Sequence, residues 1–295
     1  MSENIFFPNK ADMARNFNFA AATYDQTAVL QKAVAESLLE RLDYMKIAPT
    51  TILDLGSGTG RAAMKLAQRY SKAKILHMDI ATQMLFRARQ NFPRWFSRHR
   101  YICADIEQLP LASNKIDLVF SNLTLQWTHN LDSVFSQLNR ACFSGSLFLF
   151  STLGPDTLKE LRESWAACDD EIIHVNNFID MHDVGDALVR AGFSDPVMEV
   201  ENMTLTYDDV FGLMRDLKQL GAHNVNVGRR KALTGKKRLS QMIDHYEIYR
   251  TKNKLPATYE IIYGHAWVSE TPMQHKQPDG TATIPIEAIK RRSVQ

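Results

Sequence analysis

The sequence predicts an α/β fold, a mostly parallel seven-stranded sheet with helices on both faces. Three observations carry that expectation. Short apolar runs alternate with stretches of helical period between residues 51 and 153. The runs are apolar on both sides, as strands buried between two helical layers must be. The first of them runs straight into a glycine-rich turn, GSGTG at 56–60.

In chain order, residues 12–44 read as a helical section preceding the sheet. TILDL (51–55) is the first strand and RAAMKLAQRY (61–70) a helix. KILHMDI (74–80) is a strand and ATQMLFRARQNF (81–92) a helix. RYICADI (100–106) and KIDLVFSNL (115–123) are strands, LDSVFSQLNRACF (131–143) a helix and SLFLFSTL (146–153) a strand. Right-handed crossovers make such a sheet doubly wound. Pro155 and Asp156 mark the start of another helix, with Thr157 and Glu160 spaced as a capping box. HDVGDALVRAGF (182–193), FGLMRDLKQLGAHN (211–224) and LSQMIDHYEIYR (239–250) follow as helices. PVMEVENMTLTY (196–207) reads as an edge strand and TYEIIYGHAWV (258–268) as an antiparallel last strand. The expected organisation is a helical cap over 1–48, an α/β domain over 49–268 and a polar tail over 269–295. Helical insertions around 155–192 and 208–250 form a lid.

Composition narrows the function classes. With 295 residues, 45% hydrophobic and 23% charged, the chain has the apolar mass for a sizeable core. A net charge of +2 gives no global signal for nucleic acid or membrane binding. No window holds 18 unbroken apolar residues, and the N-terminus lacks a signal-peptide pattern. Cys103, Cys142 and Cys168 form no CxxC pair, which suits a reducing cytoplasm. The nine histidines show no paired ligand spacing, so no metal is expected.

The glycine turn is spaced GxGxG, with Gly56, Gly58 and Gly60 around Ser57. A dinucleotide fingerprint would need glycine at position 61, where Arg61 stands, so the signal for a pyrophosphate is weak. About 20 residues on, Asp79 ends the second strand, placed to accept from ribose hydroxyls. Asp105 ends the third strand, within reach of an adenine amine that Ile80, Met84 and Ile106 would sandwich. Asn122 follows the fourth strand at the mouth of the sheet. Taken singly, each also reads as a tight turn, a helix cap or a turn acid. Together they converge on one edge.

That constellation resembles the Rossmann-like class I S-adenosylmethionine-dependent methyltransferases, over about residues 30–150. The resemblance implies S-adenosyl-L-methionine as cofactor, with Asp54 near its methionine end and the glycines beneath it. Asp79 would hold the ribose and Asp105 would read the adenine. The flanks ARNFNFAAATYDQ, FGLMRDLKQLGAHN and PATYEIIYGHAW are similar to the malonyl-acyl-carrier-protein O-methyltransferases of biotin synthesis, a likeness spanning about residues 12–267. It implies methylation of the free carboxylate of a malonyl thioester carried by acyl carrier protein.

Such a carboxylate is ionised at neutral pH, so no general base is needed and none is assigned. A cation is expected to select it. Arg15, Arg61, Arg162 and Arg190 are candidates, though any single one reads more readily as a solvated helix charge. Tyr24 lies in the N-terminal section that caps the cofactor in related enzymes, and Trp127 is placed to wall the acceptor pocket or to pack in the core. GRRKALTGKKRL supplies Arg229, Arg230, Lys231, Lys236, Lys237 and Arg238, either a docking patch for an acidic carrier protein or a solvated charged loop. Two rival readings share the fold: a protein-arginine hydroxylase that assists assembly of respiratory complex I, and a non-catalytic cofactor-binding protein.

Overall fold

In the computed structural model, which describes residues 8–92, 98–168, 174–222, 224 and 235–269, the chain opens with three helices. These are α1 (Lys10–Ala20), α2 (Tyr24–Thr27) and α3 (Val29–Glu40), so the single helical section expected over 12–44 is broken twice. The alternation then runs β1 (Thr51–Leu55), α4 (Arg61–Arg69), β2 (Lys74–Asp79), α5 (Thr82–Gln90), β3 (His99–Cys103) and β4 (Ile116–Asn122). It continues with α6 (Leu131–Ala141), β5 (Cys142–Leu153), α7 (Lys159–Ala166), α8 (Met181–Arg190) and β6 (Phe193–Tyr207). Helices α9 (Val210–Gln219) and α10 (Lys236–Glu247) precede β7 (Leu255–Val268).

The seven strands form one sheet in the order β3-β2-β1-β4-β5-β7-β6. Strands β1 to β5 are parallel, and β7 is antiparallel to both neighbours, β5 and β6. The expected antiparallel last strand and edge strand are therefore found. Alternation of side chains splits the core into two layers. Ile52, Leu118, Phe120, Leu147 and Leu149 pack with Val34 and Leu38 of α3, Leu66 of α4 and Met242 of α10. Leu53, Leu55, Val119, Phe148 and Phe150 pack with Val134 and Phe135 of α6 and Leu188 of α8.

One local expectation fails. Thr157 and Glu160 do not form a capping box. Helix α7 starts at Lys159 behind Leu158, which sits at φ 55°. The reason is tertiary. Strand β5 stops pairing with β7 at Leu153–Ile261, leaving residues 258–260 with an open edge. The turn after β5 fills it. Gly154 N donates to Glu260 O at 2.9 Å and Leu158 N to Thr258 O at 2.6 Å. Thr157 Oγ1 donates to Glu260 O at 3.2 Å and accepts from Glu260 N at 3.1 Å. The buried Glu160 accepts from Thr258 N at 3.1 Å and from its hydroxyl.

Strand order reverses between β1 and β4, and ligands in such sheets bind at the carboxyl ends of the strands flanking that switch. No helix among the described residues is long and apolar enough to cross a membrane, and no group of three or more metal-ligating side chains occurs among them. The tail over 270–295 lies outside the described residues.

Candidate active site

The glycine turn is pinned to β2 before it touches any ligand. Gly56 N and Ser57 N both donate to Met78 O, at 2.8 and 2.9 Å. Gly56 has φ +73°, and a Cβ there would lie 2.0 Å from Thr124 Oγ1. Gly58, at φ +51°, has no atom within 4 Å of where a Cβ would stand. The backbone is thus bare toward a cleft at Gly58 and toward protein at Gly56.

Asp79 ties the turn to the next helix. Its Oδ2 accepts from Gly58 N at 2.9 Å and its Oδ1 from Ala81 N at 2.8 Å. The helix-entry reading and the ligand-facing one therefore describe the same carboxylate. Burial raises its pKa, and the backbone N–H groups of Ala81, Gly58 and Ile80 oppose the rise. Asp54 is 2% exposed, and its Oδ2 accepts no hydrogen bond from the protein. Burial first, and the Asp79 charge second, push its carboxyl up to about 7. Asp105 lies in the loop after β3. Its Oδ1 accepts from Glu107 N at 3.0 Å and from Lys10 Nζ at 3.1 Å.

The N-terminal helices close over this turn. Asp25 Oδ1 accepts from Thr59 Oγ1 at 2.7 Å, and Gln31 O accepts from Asn122 Nδ2 at 3.1 Å. Asn122 Oδ1 in turn accepts from Ser151 Oγ at 2.9 Å. Beneath these helices lie three neighbouring spaces that share lining residues. One, about 150 Å³, is lined by Gln31, Asp54, Ser57, Gly58, Arg61 and Asn122. A second, about 80 Å³, is lined by Lys10, Gly58, Asp79, Ile80, Met84 and Asp105, with Ile106 and Asn122 beside them. The third, about 390 Å³, is bounded by Trp127, Thr157, Asn176, Tyr207, Asp216 and Tyr259. Tyr24 lines all three. Trp127 lines the second and the third and meets Phe17 edge-to-face at 5.4 Å.

The sequence of a family described as "Methyltransferase domain" matches residues 53–150. Over 289 residues the chain is 48% identical to a malonyl-(acyl-carrier protein) O-methyltransferase of Methylovorus sp. (strain MP688), covering 96% of this chain and 97% of that one. It is 50% identical over 276 residues to the protein of the same name from Nitrosospira multiformis, covering 88% and 90%. This chain belongs to the malonyl-(acyl-carrier protein) O-methyltransferase family. Among solved structures, phosphoethanolamine N-methyltransferase 2 of Haemonchus contortus in complex with S-adenosyl-L-methionine shares the fold, with TM-score 0.51 and 20% identity over 80% of this chain and 52% of that one.

For a member of this methyltransferase family, the first two spaces fit S-adenosyl-L-methionine. The unpartnered buried atoms Asp54 Oδ2, Ser57 Oγ and Gln31 Oε1 all belong to residues of the first space, where the amino-acid end would lie. The second has a floor of Ile80, Met84 and Ile106 with carboxylates at Asp79 and Asp105, a fit to adenosine. Sequence reasoning missed Lys10, Gln31 and Thr124. They carry no motif, and only the fold brings them to the glycines.

The expected acceptor cations do not meet in the large chamber. Arg15 is exposed and pairs with Asp12 at 2.6 Å. Arg162 donates to Thr157 O at 2.9 Å and to Pro155 O. Arg190 pairs with Asp132 at 2.8 Å on the outer side of α8. Arg61 lines the glycine space instead. Among described residues the chamber has no cationic lining. Arg229, Arg230 and Lys231 lie outside the described residues, whereas Lys236, Lys237 and Arg238 are exposed at the start of α10.

Replacing Asp79 with Ala removes an acceptor from Gly58 and Ala81 as well as from the ligand. Cofactor affinity should fall by about 1–3 kcal/mol, the range for charge-assisted hydrogen bonds. Titration calorimetry checks this, and unchanged affinity removes Asp79 from the ribose role.

Proposed function

We propose that this protein transfers the methyl group of S-adenosyl-L-methionine to the free carboxylate of a malonyl thioester on acyl carrier protein. The observation that carries the reading is Tyr24, which lines both spaces assigned to the cofactor and also the roomier chamber of about 390 Å³. In this reading Asp54 receives the cofactor's ammonium group and Arg61 its carboxylate. Asp79 receives the ribose and Asp105 the adenine amine, flanked by Ile80, Met84 and Ile106.

The cofactor, when bound, supplies a methyl group already activated on a sulfonium sulfur. With it bound, a carboxylate oxygen would form the new bond to the methyl carbon as the carbon–sulfur bond broke, that bond's electrons staying on sulfur. No proton moves, so the chamber needs no base. Tyr24 and Trp127 exclude water and align the acceptor, which raises the reactivity of its oxygen.

An acidic carrier protein would dock beside α10. Lys236, Lys237 and Arg238 start that helix, and it packs against α7, whose preceding turn places Thr157 and Leu158 in the chamber wall.

The test is transfer of labelled methyl to malonyl-acyl carrier protein, with acetyl-acyl carrier protein as control. Label on the malonyl form alone is expected. Label on neither, with cofactor still bound, would return weight to a protein-modifying or non-catalytic role.

A further inference from the structure

The acceptor chamber carries a charge of the wrong sign for a carboxylate. Among the described residues lining its roughly 390 Å³, Asp216 of α9 is the one ionisable acid and there is no base. Asp216 lines this chamber and neither cofactor space, as do its neighbours Tyr207 of β6 and Tyr259 of β7. Burial first, and the nearby Asp216 carboxylate second, push the Tyr207 hydroxyl up to about 12. Asp216 thus shares the chamber wall with these two tyrosines. The chamber's volume falls in the range for extended ligands.

We propose that Asp216 is a specificity-determining residue that reserves the part of the chamber away from the cofactor for the neutral thioester arm of the acceptor and excludes a second carboxylate. This rests on the methyl-transfer reading above. An acceptor with one charged end can place it at Tyr24 and leave amide and thioester groups near Asp216. A free dicarboxylate must bring a second anion to that partly desolvated acid, where like charges repel strongly. Repulsion of the wrong ligand is how such discrimination is commonly built.

The experiment compares methyl transfer to malonyl-acyl carrier protein and to free malonate in wild type, Asp216→Asn, Asp216→Glu and Tyr207→Phe. In Asp216→Asn the ratio of free-malonate to thioester turnover should rise at least about tenfold, while Asp216→Glu and Tyr207→Phe, which keep the charge, retain the wild-type ratio. An unchanged ratio in Asp216→Asn overturns the proposal. So does an equal rise in Tyr207→Phe, because packing rather than charge would then set it. A wild type that binds cofactor yet methylates no malonyl thioester instead removes the function reading, and this inference with it.

Discussion

Asp54→Asn should stabilise the ligand-free protein while weakening its hold on the cofactor. The carboxyl is 2% exposed, and burial with the nearby Asp79 holds its pKa at about 7. Unfolded, it would titrate near 4. The folded state thus keeps a proton that the unfolded chain has lost, and stability falls as pH rises between those values. Asparagine has no such penalty. Its advantage over wild type should grow from about pH 4 to pH 7 and then level off, at on the order of 3 kcal/mol. His77 titrates in the opposite sense. Burial and His99 push it down to about 3, so its contribution is lost as pH falls below its unfolded value near 6.5. That slope is common to both proteins and cancels in the difference. Binding should move the other way, with S-adenosyl-L-methionine affinity reduced about 10- to 100-fold through loss of a charged partner for its ammonium group. Thermal unfolding across pH with parallel calorimetry reads both. A variant destabilised at every pH, or one that binds normally, would contradict this account of Asp54.

Two glycines two residues apart should respond to alanine in different ways. In Gly56→Ala the new Cβ meets Thr124 Oγ1 at 2.0 Å and Cγ2 at 2.4 Å, at φ +73°. Thr124 cannot easily yield, because its hydroxyl donates toward Asn122 O at 3.1 Å and Leu55 O at 3.3 Å. Backbone strain and overpacking together should cost about 2–4 kcal/mol of stability. In Gly58→Ala nothing stands within 4 Å, so only the positive φ of +51° is penalised, by about 1 kcal/mol. Its methyl group projects into the cleft, and the loss should appear in cofactor affinity. Melting temperatures with and without cofactor separate the two. Equal loss of stability in both variants would show that the turn is not bare toward a ligand at Gly58.

What the chain by itself determined was whatever depends on neighbours in sequence. Strands β1 to β5 were legible as short runs set among helical periods, and Asp79 and Asn122 were legible because each ends such a strand, with Asp54 one residue before the end of β1. Even the antiparallel β7 and the edge position of β6 were readable, the latter from its half-polar texture. Tertiary structure alone decided the rest. Thr157 and Glu160 left their local capping pattern because the exposed edge of β7 offered buried main-chain groups that had to be paired. The acceptor chamber was invisible for a related reason. Its walls come from α2, the turn after β4, the turn before α7, β6, α9 and β7, segments separated by most of the chain. Charge selection there could not be assigned by counting arginines, because Arg15, Arg162 and Arg190 found nearer partners and Arg61 lines the glycine space, while Asp216, one acid among many in the sequence, was carried by α9 to the chamber wall.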